Sequence, residues 1–312
     1  MKKEDWVMRR IACWRSKAWL AVLLVAGNSQ IAGAQVRPLL PSHTYLLAQQ
    51  ATAEDHFRQA SRLDAQGKFD EAIAEYRQAI RLNPKYPEAH FSLALALRAK
   101  GNLDGAITEF REAVRWKPNY PDAHYSLGLA LKTKQDLDGA MAEYRLAIKQ
   151  RPGFAEAHNN LGNLLSSQGD REGAIAEYRK AIQLAPDLPQ PHLSLGVALH
   201  SQADFDGAIA EYRAAIKLTP DDPEAHFHLG FVLSSTRDYM GAIEEYRKTI
   251  SLQPKNVVAH YNLGLSLQGV NDLKTALEEF RAACSMDPKF PRACSSAQRL
   301  QSATQAKPEP PQ

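Results

Sequence analysis

Seven histidines, His56, His90, His124, His158, His192, His226 and His260, stand 34 residues apart. Imidazole is both a common metal ligand and the side chain that titrates nearest neutral pH. A second ladder runs with them: Glu75, Glu109, Glu143, Glu177, Glu211, Glu245 and Glu279, each followed two residues on by an arginine, from Arg77 to Arg281. The residue types therefore raise metal binding, proton chemistry and ion pairing. Their spacing limits all three. A fixed period of this length is one small unit copied in series, so equivalent side chains lie at least a helix diameter apart, on the order of 10 Å. Two histidines that share a metal must each hold it at about 2 Å, so the ladder makes no metal site. Its rings are expected as packing residues with their polar atoms bonded locally or exposed. Residues two apart on a helix do not face each other, so the Glu and Arg ladder is expected as solvated charge that helps neighbouring units to stack.

Other chemistry is thinner. His43, His200 and His228 lie off the ladder, the last two as a solvated pair that could face a groove. No glycine-rich phosphate loop, Ser-His-Asp order or Cys-x-x-Cys spacing occurs. Neither catalytic residues, nor a cofactor, nor a metal is expected, and the chain reads as non-enzymatic.

The elements that position the ladders follow from one copy. In residues 155–188, Leu161 and Leu165 share a face with the small Gly162 beside them; Ala174, Ile175, Tyr178, Ala181 and Ile182 share another, at steps of three and four. Two helices and a turn are predicted, each with one apolar stripe that needs a neighbour. Asn102, Asp136, Asp170, Asp204, Asp238 and Asp272 precede the second helices as N-caps. Prolines at 84, 118, 152, 186, 220, 254 and 288 stop them. An alanine at Ala72, Ala106, Ala140, Ala174, Ala208, Ala242 and Ala276 is followed four residues later by Tyr or Phe. Small beside large is what closely packed antiparallel helices require.

Taken together, the recurring large residue, Leu-Gly, Ala, aromatic, Ala and Pro resemble the tetratricopeptide repeat over residues 53–290, with histidine at the first large position, where the family often has tryptophan. The resemblance implies an all-α fold, an α-solenoid in which helix-turn-helix repeats wind into a right-handed superhelix with first helices lining a concave groove. Seven repeats are expected, at 53–86, 87–120, 121–154, 155–188, 189–222, 223–256 and 257–290. A single unit cannot bury its own stripe, so stacking is also required on physical grounds. A capping helix is expected over 291–301 and a disordered tail over 302–312, rich in proline.

By the same resemblance the fifth position of each unit faces the groove: Phe57, Phe91, Tyr125, Asn159, Leu193, Phe227 and Tyr261. The ninth adds Leu95, Leu129, Asn163, Val197, Phe231 and Leu265, and the second adds an acidic edge of Glu54, Glu88, Asp122, Glu156 and Glu224. This strip suits an extended or helical peptide with apolar anchors and some positive charge. Asn159, Asn160 and Asn163 interrupt it, with amides able to grip a peptide main chain. Some of the apolar side chains could instead fill gaps between adjacent first helices.

The front of the chain is different. Six basic residues and two acidic ones lie in residues 1–34, around an apolar run from Ala18 to Gly27 that ends in small residues at Ala32, Gly33 and Ala34. This reads as a secretory signal peptide cleaved after Ala34, with an uncleaved N-terminal anchor as the alternative; the run is about half the ~20 residues that span a bilayer. Without its +4 the remaining chain is near −1, so the basic pI of 8.6 does not argue for nucleic acid. Residues 35–52 read as a linker. Cys284 replaces an apolar residue of other copies and Cys294 takes the ladder place in the cap; in an oxidising compartment they could pair, and otherwise they are two buried thiols.

The expected function is an exported, periplasmic or secreted scaffold or adaptor that binds proteins or peptides in its groove, without nucleic acid and without stable membrane insertion once the signal is removed. The alternatives are a self-associating structural protein and an accessory to a separate glycosyl-transferring enzyme.

Overall fold

The computed structural model describes residues 51–305. The leader with its cleavage site, the linker apart from Ala51 and Thr52, and residues 306–312 lie outside them. Fifteen helices and no strands occur among the described residues: α1 (Ala53–Ala65), α2 (Phe69–Leu82), α3 (Pro87–Ala99), α4 (Leu103–Trp116), α5 (Pro121–Thr133), α6 (Leu137–Gln150), α7 (Ala155–Ser167), α8 (Arg171–Leu184), α9 (Pro189–Ser201), α10 (Phe205–Leu218), α11 (Pro223–Ser235), α12 (Tyr239–Leu252), α13 (Val257–Gly269), α14 (Leu273–Met286) and α15 (Pro291–Gln305). Each odd-numbered helix from α1 to α13 packs most closely on the helix that follows it, and each even-numbered helix also packs on the next odd one. The result is an α-solenoid. α15 runs to Gln305 rather than stopping at 301; it buries Ala293, Ala297 and Leu300, and no proline interrupts it before Pro308.

Within each pair, the ring of the second helix sits on a small residue of the first. A methyl group added at Gly128, Gly162, Gly196 or Gly264 would stand 2.6–2.7 Å from the ring of Tyr144, Tyr178, Tyr212 or Phe280. Ala60 and Ala94 hold that place in the first two pairs, fully buried. The alanines four residues before the rings, Ala72 to Ala276, are likewise fully buried, as are Tyr76, Phe110, Tyr144, Tyr212, Tyr246 and Phe280 to within 1% exposure. These contacts and Leu93, Leu127, Leu161, Leu195, Leu229 and Leu263 form one continuous core along the array.

The turn inside each pair follows a single plan. The residue before the cap has positive φ, and the cap residue's own N–H returns to a leucine carbonyl near the end of the first helix, as from Asp170 to Leu165 at 3.0 Å. Its side chain then accepts from an amide of the second helix: Asn102 from Gly105, Asp136 from Gly139, Asp170 from Gly173, Asp204 from Gly207 and Asp238 from Gly241 at 2.9–3.0 Å, and Asp272 from Thr275 at 3.2 Å. In the first pair Lys68 stands at this place and provides no side-chain cap.

The histidine ladder lies between the two helices of each pair. Every ladder ring places Nδ1 2.5–2.6 Å from the carboxylate of the glutamate nineteen residues on, from His56 with Glu75 to His260 with Glu279. The glutamate ladder is therefore not the solvated charge expected of it: its carboxylates meet a histidine of their own pair. Cys284 of α14 and Cys294 of α15 are bonded, their Cα atoms 4.8 Å apart.

The positive φ falls on glycine at Gly67, Gly101 and Gly169 but on Gln135, Ala203, Arg237 and Asn271 in the other pairs, where Cβ crowds the carbonyl that follows. Ala203→Gly and Arg237→Gly should each stabilise the chain by about 1 kcal/mol in urea unfolding. A loss of stability in both would show that these turns are not strained.

Candidate binding groove

Successive first helices approach one another, as α7 does α9, α9 does α11 and α11 does α13, to a degree that no two second helices match. First helices therefore line the inner side of the curve. The fifth-position residues lie there, but half-buried and knitted into the core. The Phe57 ring is 5.7 Å from Tyr76 and 5.1 Å from Tyr86, and Phe91 is 5.8 Å from Phe110 and 5.0 Å from Tyr120. Tyr125 is 5.8 Å from Tyr144 and 4.7 Å from Phe154, and Tyr261 is 5.7 Å from Phe280 and 5.2 Å from Phe290. Phe227 is 5.9 Å from Tyr246. Leu193 and Asn159 are buried outright, at 5% and 8% exposure. These seven side chains form the floor of the groove more than its surface.

The central asparagines are bonded within the protein. Asn160 donates through Nδ2 to the Tyr125 hydroxyl at 2.9 Å, across two units, and Asn163 accepts from the Tyr178 hydroxyl at 2.8 Å. The Oδ1 of Asn159 is buried without a partner. They tie the array together and are not set out as a row of free amides. The acidic edge is also partly neutralised. Lys117 reaches Glu88 at 2.8 Å, and both guanidinium ends of Arg151 hold Asp122, at 2.9 and 2.6 Å.

What the groove does present is apolar. Val197, Phe231 and Leu265, the ninth residues of α9, α11 and α13, are 42%, 43% and 39% exposed. His43 lies outside the described residues, and His200 and His228 are half-buried against aromatic rings instead of forming a solvated pair. His200 meets the Phe231 ring edge-on at 5.4 Å, and His228 stacks on Tyr212 at 5.6 Å. Burial holds the His228 pKa below its ordinary value, with nearby His200 acting the same way against Glu224 and Asp222. A ring so placed is neutral near pH 7. No cluster of three metal-ligating side chains occurs among the described residues.

The sequence reading missed that the ninth residue and the ring of the second helix are linked. Where the ninth residue is Asn163, the Tyr178 hydroxyl has its acceptor; where it is Leu129, the Tyr144 hydroxyl is buried without one. The second and seventh units combine Leu95 and Leu265 with Phe110 and Phe280, which need none. That pairing of residue types was present in the second, fourth and seventh aligned units, whereas Val197 and Phe231 stand with Tyr212 and Tyr246 in the fifth and sixth.

Residues 57–124 and 232–291 match the family described as Tetratricopeptide repeat, and residues 131–169, 162–203 and 198–236 match that described as TPR repeat. No curated protein matches the chain. Among solved structures it is similar to PilF of Pseudomonas aeruginosa, with 22% identity and a TM-score of 0.60 over 70% of this chain and 97% of that one. It is also similar to YrrB, described as a TPR protein with an unusual peptide-binding site, with 21% identity and a TM-score of 0.54 over 61% and 97%. MamA is 26% identical, with a TM-score of 0.50 over 61% and 98%. At these identities the first two likenesses concern the fold alone.

The two tyrosines provide a direct comparison by urea unfolding. Tyr178→Phe strips Asn163 of its donor and should cost about 1 kcal/mol, whereas Tyr144→Phe removes a buried hydroxyl that bonds to nothing and should be neutral or stabilising. Equal losses from the two would contradict the assignment.

Proposed function

The chain belongs to the tetratricopeptide repeat family, and on that premise we propose that it is a non-enzymatic scaffold that holds a protein or peptide partner in the groove of its first helices. The observation that carries this reading is the row of Val197, Phe231 and Leu265, which successive first helices present at one repeat-equivalent place and leave about two-fifths exposed. Apolar side chains in such a row offer anchors at regular intervals to an extended or helical segment. Phe57, Phe91, Tyr125, Phe227 and Tyr261 form the rigid floor beneath, and Leu193, Asn159, Asn160 and Asn163 complete it. With Glu88 and Asp122 already paired, recognition rests on shape and apolar burial more than on a basic ligand.

In this proposal the seven units begin at residue 53, the leader over residues 1–34 directs export, and the chain acts in a periplasm or outside the cell. The bond between Cys284 and Cys294 supports that setting, since such bonds persist in oxidising compartments. No helix among the described residues is long and apolar enough to cross a membrane.

Each of the three anchors, brought from about 40% exposure to full burial, contributes on the order of 1 kcal/mol. The combined change Val197→Ser, Phe231→Ser and Leu265→Ser should therefore weaken capture of partners from an envelope extract by at least about tenfold, while circular dichroism stays unchanged. The substitution Met240→Ser, on a second helix, should not. Capture that survives the triple change would place binding elsewhere, and a mature chain that does not begin at Gln35 would overturn cleavage after Ala34.

A further inference from the structure

Neither packing nor the groove accounts for the chemistry of the histidine ladder. In His90, His124, His158, His192, His226 and His260 both ring nitrogens meet acceptors. Nδ1 faces the paired glutamate of the second helix at 2.5–2.6 Å. Nε2 faces the carbonyl of the proline that closes the preceding pair, from Pro84 for His90 to Pro254 for His260, at 2.8–3.2 Å. An ionised carboxylate and a peptide carbonyl only accept, and a neutral imidazole carries a single N–H. A neutral ring would therefore turn a lone pair on one of its two oxygens. Only the cation, with hydrogen on both nitrogens, satisfies both. His56 differs because no pair precedes it: it meets Glu75 alone.

We propose that three of these rings, His90, His124 and His192, are proton-operated clamps: each holds an imidazolium that joins the two helices of its pair to the turn ending the pair before it, and loss of those protons as pH rises loosens the solenoid at those joints.

The electrostatics of the rings run the same way. For His90 and His124 burial opposes the charge, but the hydrogen bonds to Glu109 and Glu143 and to the carbonyls of Pro84 and Pro118 outweigh it, and both pKa values end above the ordinary 6.5. For His192 the bond to Glu211 is the largest influence and the result is again a raised value. The charged groups acting on these rings are Glu109 and Glu112 on α4 for His90, Glu143 on α6 for His124 and Glu211 on α10 for His192. A folded-state pKa above the unfolded one gives stability that is complete below pH 6.5 and is lost as pH climbs through the folded value. The array is thus firmest in mildly acidic solution and softens on the alkaline side of neutrality. Three clamps in one array make the response larger than a single histidine could.

The control variant follows from the geometry. Glutamine in place of glutamate can donate through its amide to Nδ1, leaving the Nε2–H of a neutral ring for the proline carbonyl, so Glu109→Gln, Glu143→Gln and Glu211→Gln together make clamps that need no proton. The first measurement is the ring 15N spectrum of the histidine-labelled full chain: His90, His124 and His192 should show both nitrogens protonated at pH 6.5 and lose that pattern only above it. The second is the urea midpoint from pH 6 to pH 8.5, which should fall in the wild-type chain and fall by half as much or less in the triple variant. Singly protonated rings at pH 6.5, a wild-type midpoint that does not fall, or an equal fall in both chains would overturn the proposal. If the variant does not fold, the ring spectrum of the wild-type chain decides alone.

Discussion

Every other feature of this chain depends on the seating of one large ring on one small residue inside each helix pair. With Tyr178 against Gly162, as with its counterparts, the helices come close enough for their stripes to close, and no atom larger than hydrogen fits at that glycine without displacement. The seat does not complete a unit, because half of each stripe still faces outward along the array. The next pair covers it, and so the core is one continuous column. Stability in such an array is the sum of weak units and the seams between them, with the seams making the difference between folded and unfolded.

Polar groups follow the same logic of joining neighbours. At five of the seven turns a single aspartate, and at a sixth Asn102, closes one helix with its backbone and opens the next with its side chain. A ladder histidine ties its pair to the carbonyl that the preceding helix would otherwise leave open. Asn160 reaches the Tyr125 hydroxyl of the unit before it. Because the interior contacts are all used between neighbours, the surface left for a partner is what the first helices expose on the inner side, chiefly Val197, Phe231 and Leu265. Farther along the array, Glu88 and Asp122 of the acidic edge are held by Lys117 and Arg151.

The helices, caps and core were legible in the sequence because a 34-residue period repeats the same physical requirement at the same place seven times. Ala174 and Tyr178 could be read as a packed stripe without knowing what they touch. The polar partnerships were harder. A histidine and a glutamate nineteen residues apart lie on different helices, and no periodicity within one helix connects them; the signal was that both ladders share one period and one offset. Which of the two readings of the fifth position applies was left open in the sequence for a related reason. Phe57, Phe91, Tyr125 and Tyr261 are aromatic in the units that end in Tyr86, Tyr120, Phe154 and Phe290, and those end rings stack on them. That correlation marks internal packing, whereas at the ninth position Val197, Phe231 and Leu265 remain about two-fifths exposed. Residues 1–34 carry a composition that reads as an address, and the described helices do not bear on it.

The dependence of each pair on its neighbours is tested most directly by breaking the middle of the column and watching the ends. Ala174→Asp places a charge at a site with no solvent exposure, and hydrogen exchange followed by mass spectrometry reports each helix separately. If the seams carry the fold, protection falls in α7 and α8 and also in α5, α6, α9 and α10, by progressively smaller factors outward. Protection lost in α7 and α8 alone, with the flanking helices as slow to exchange as in the wild-type chain, would mean that each pair stands by itself.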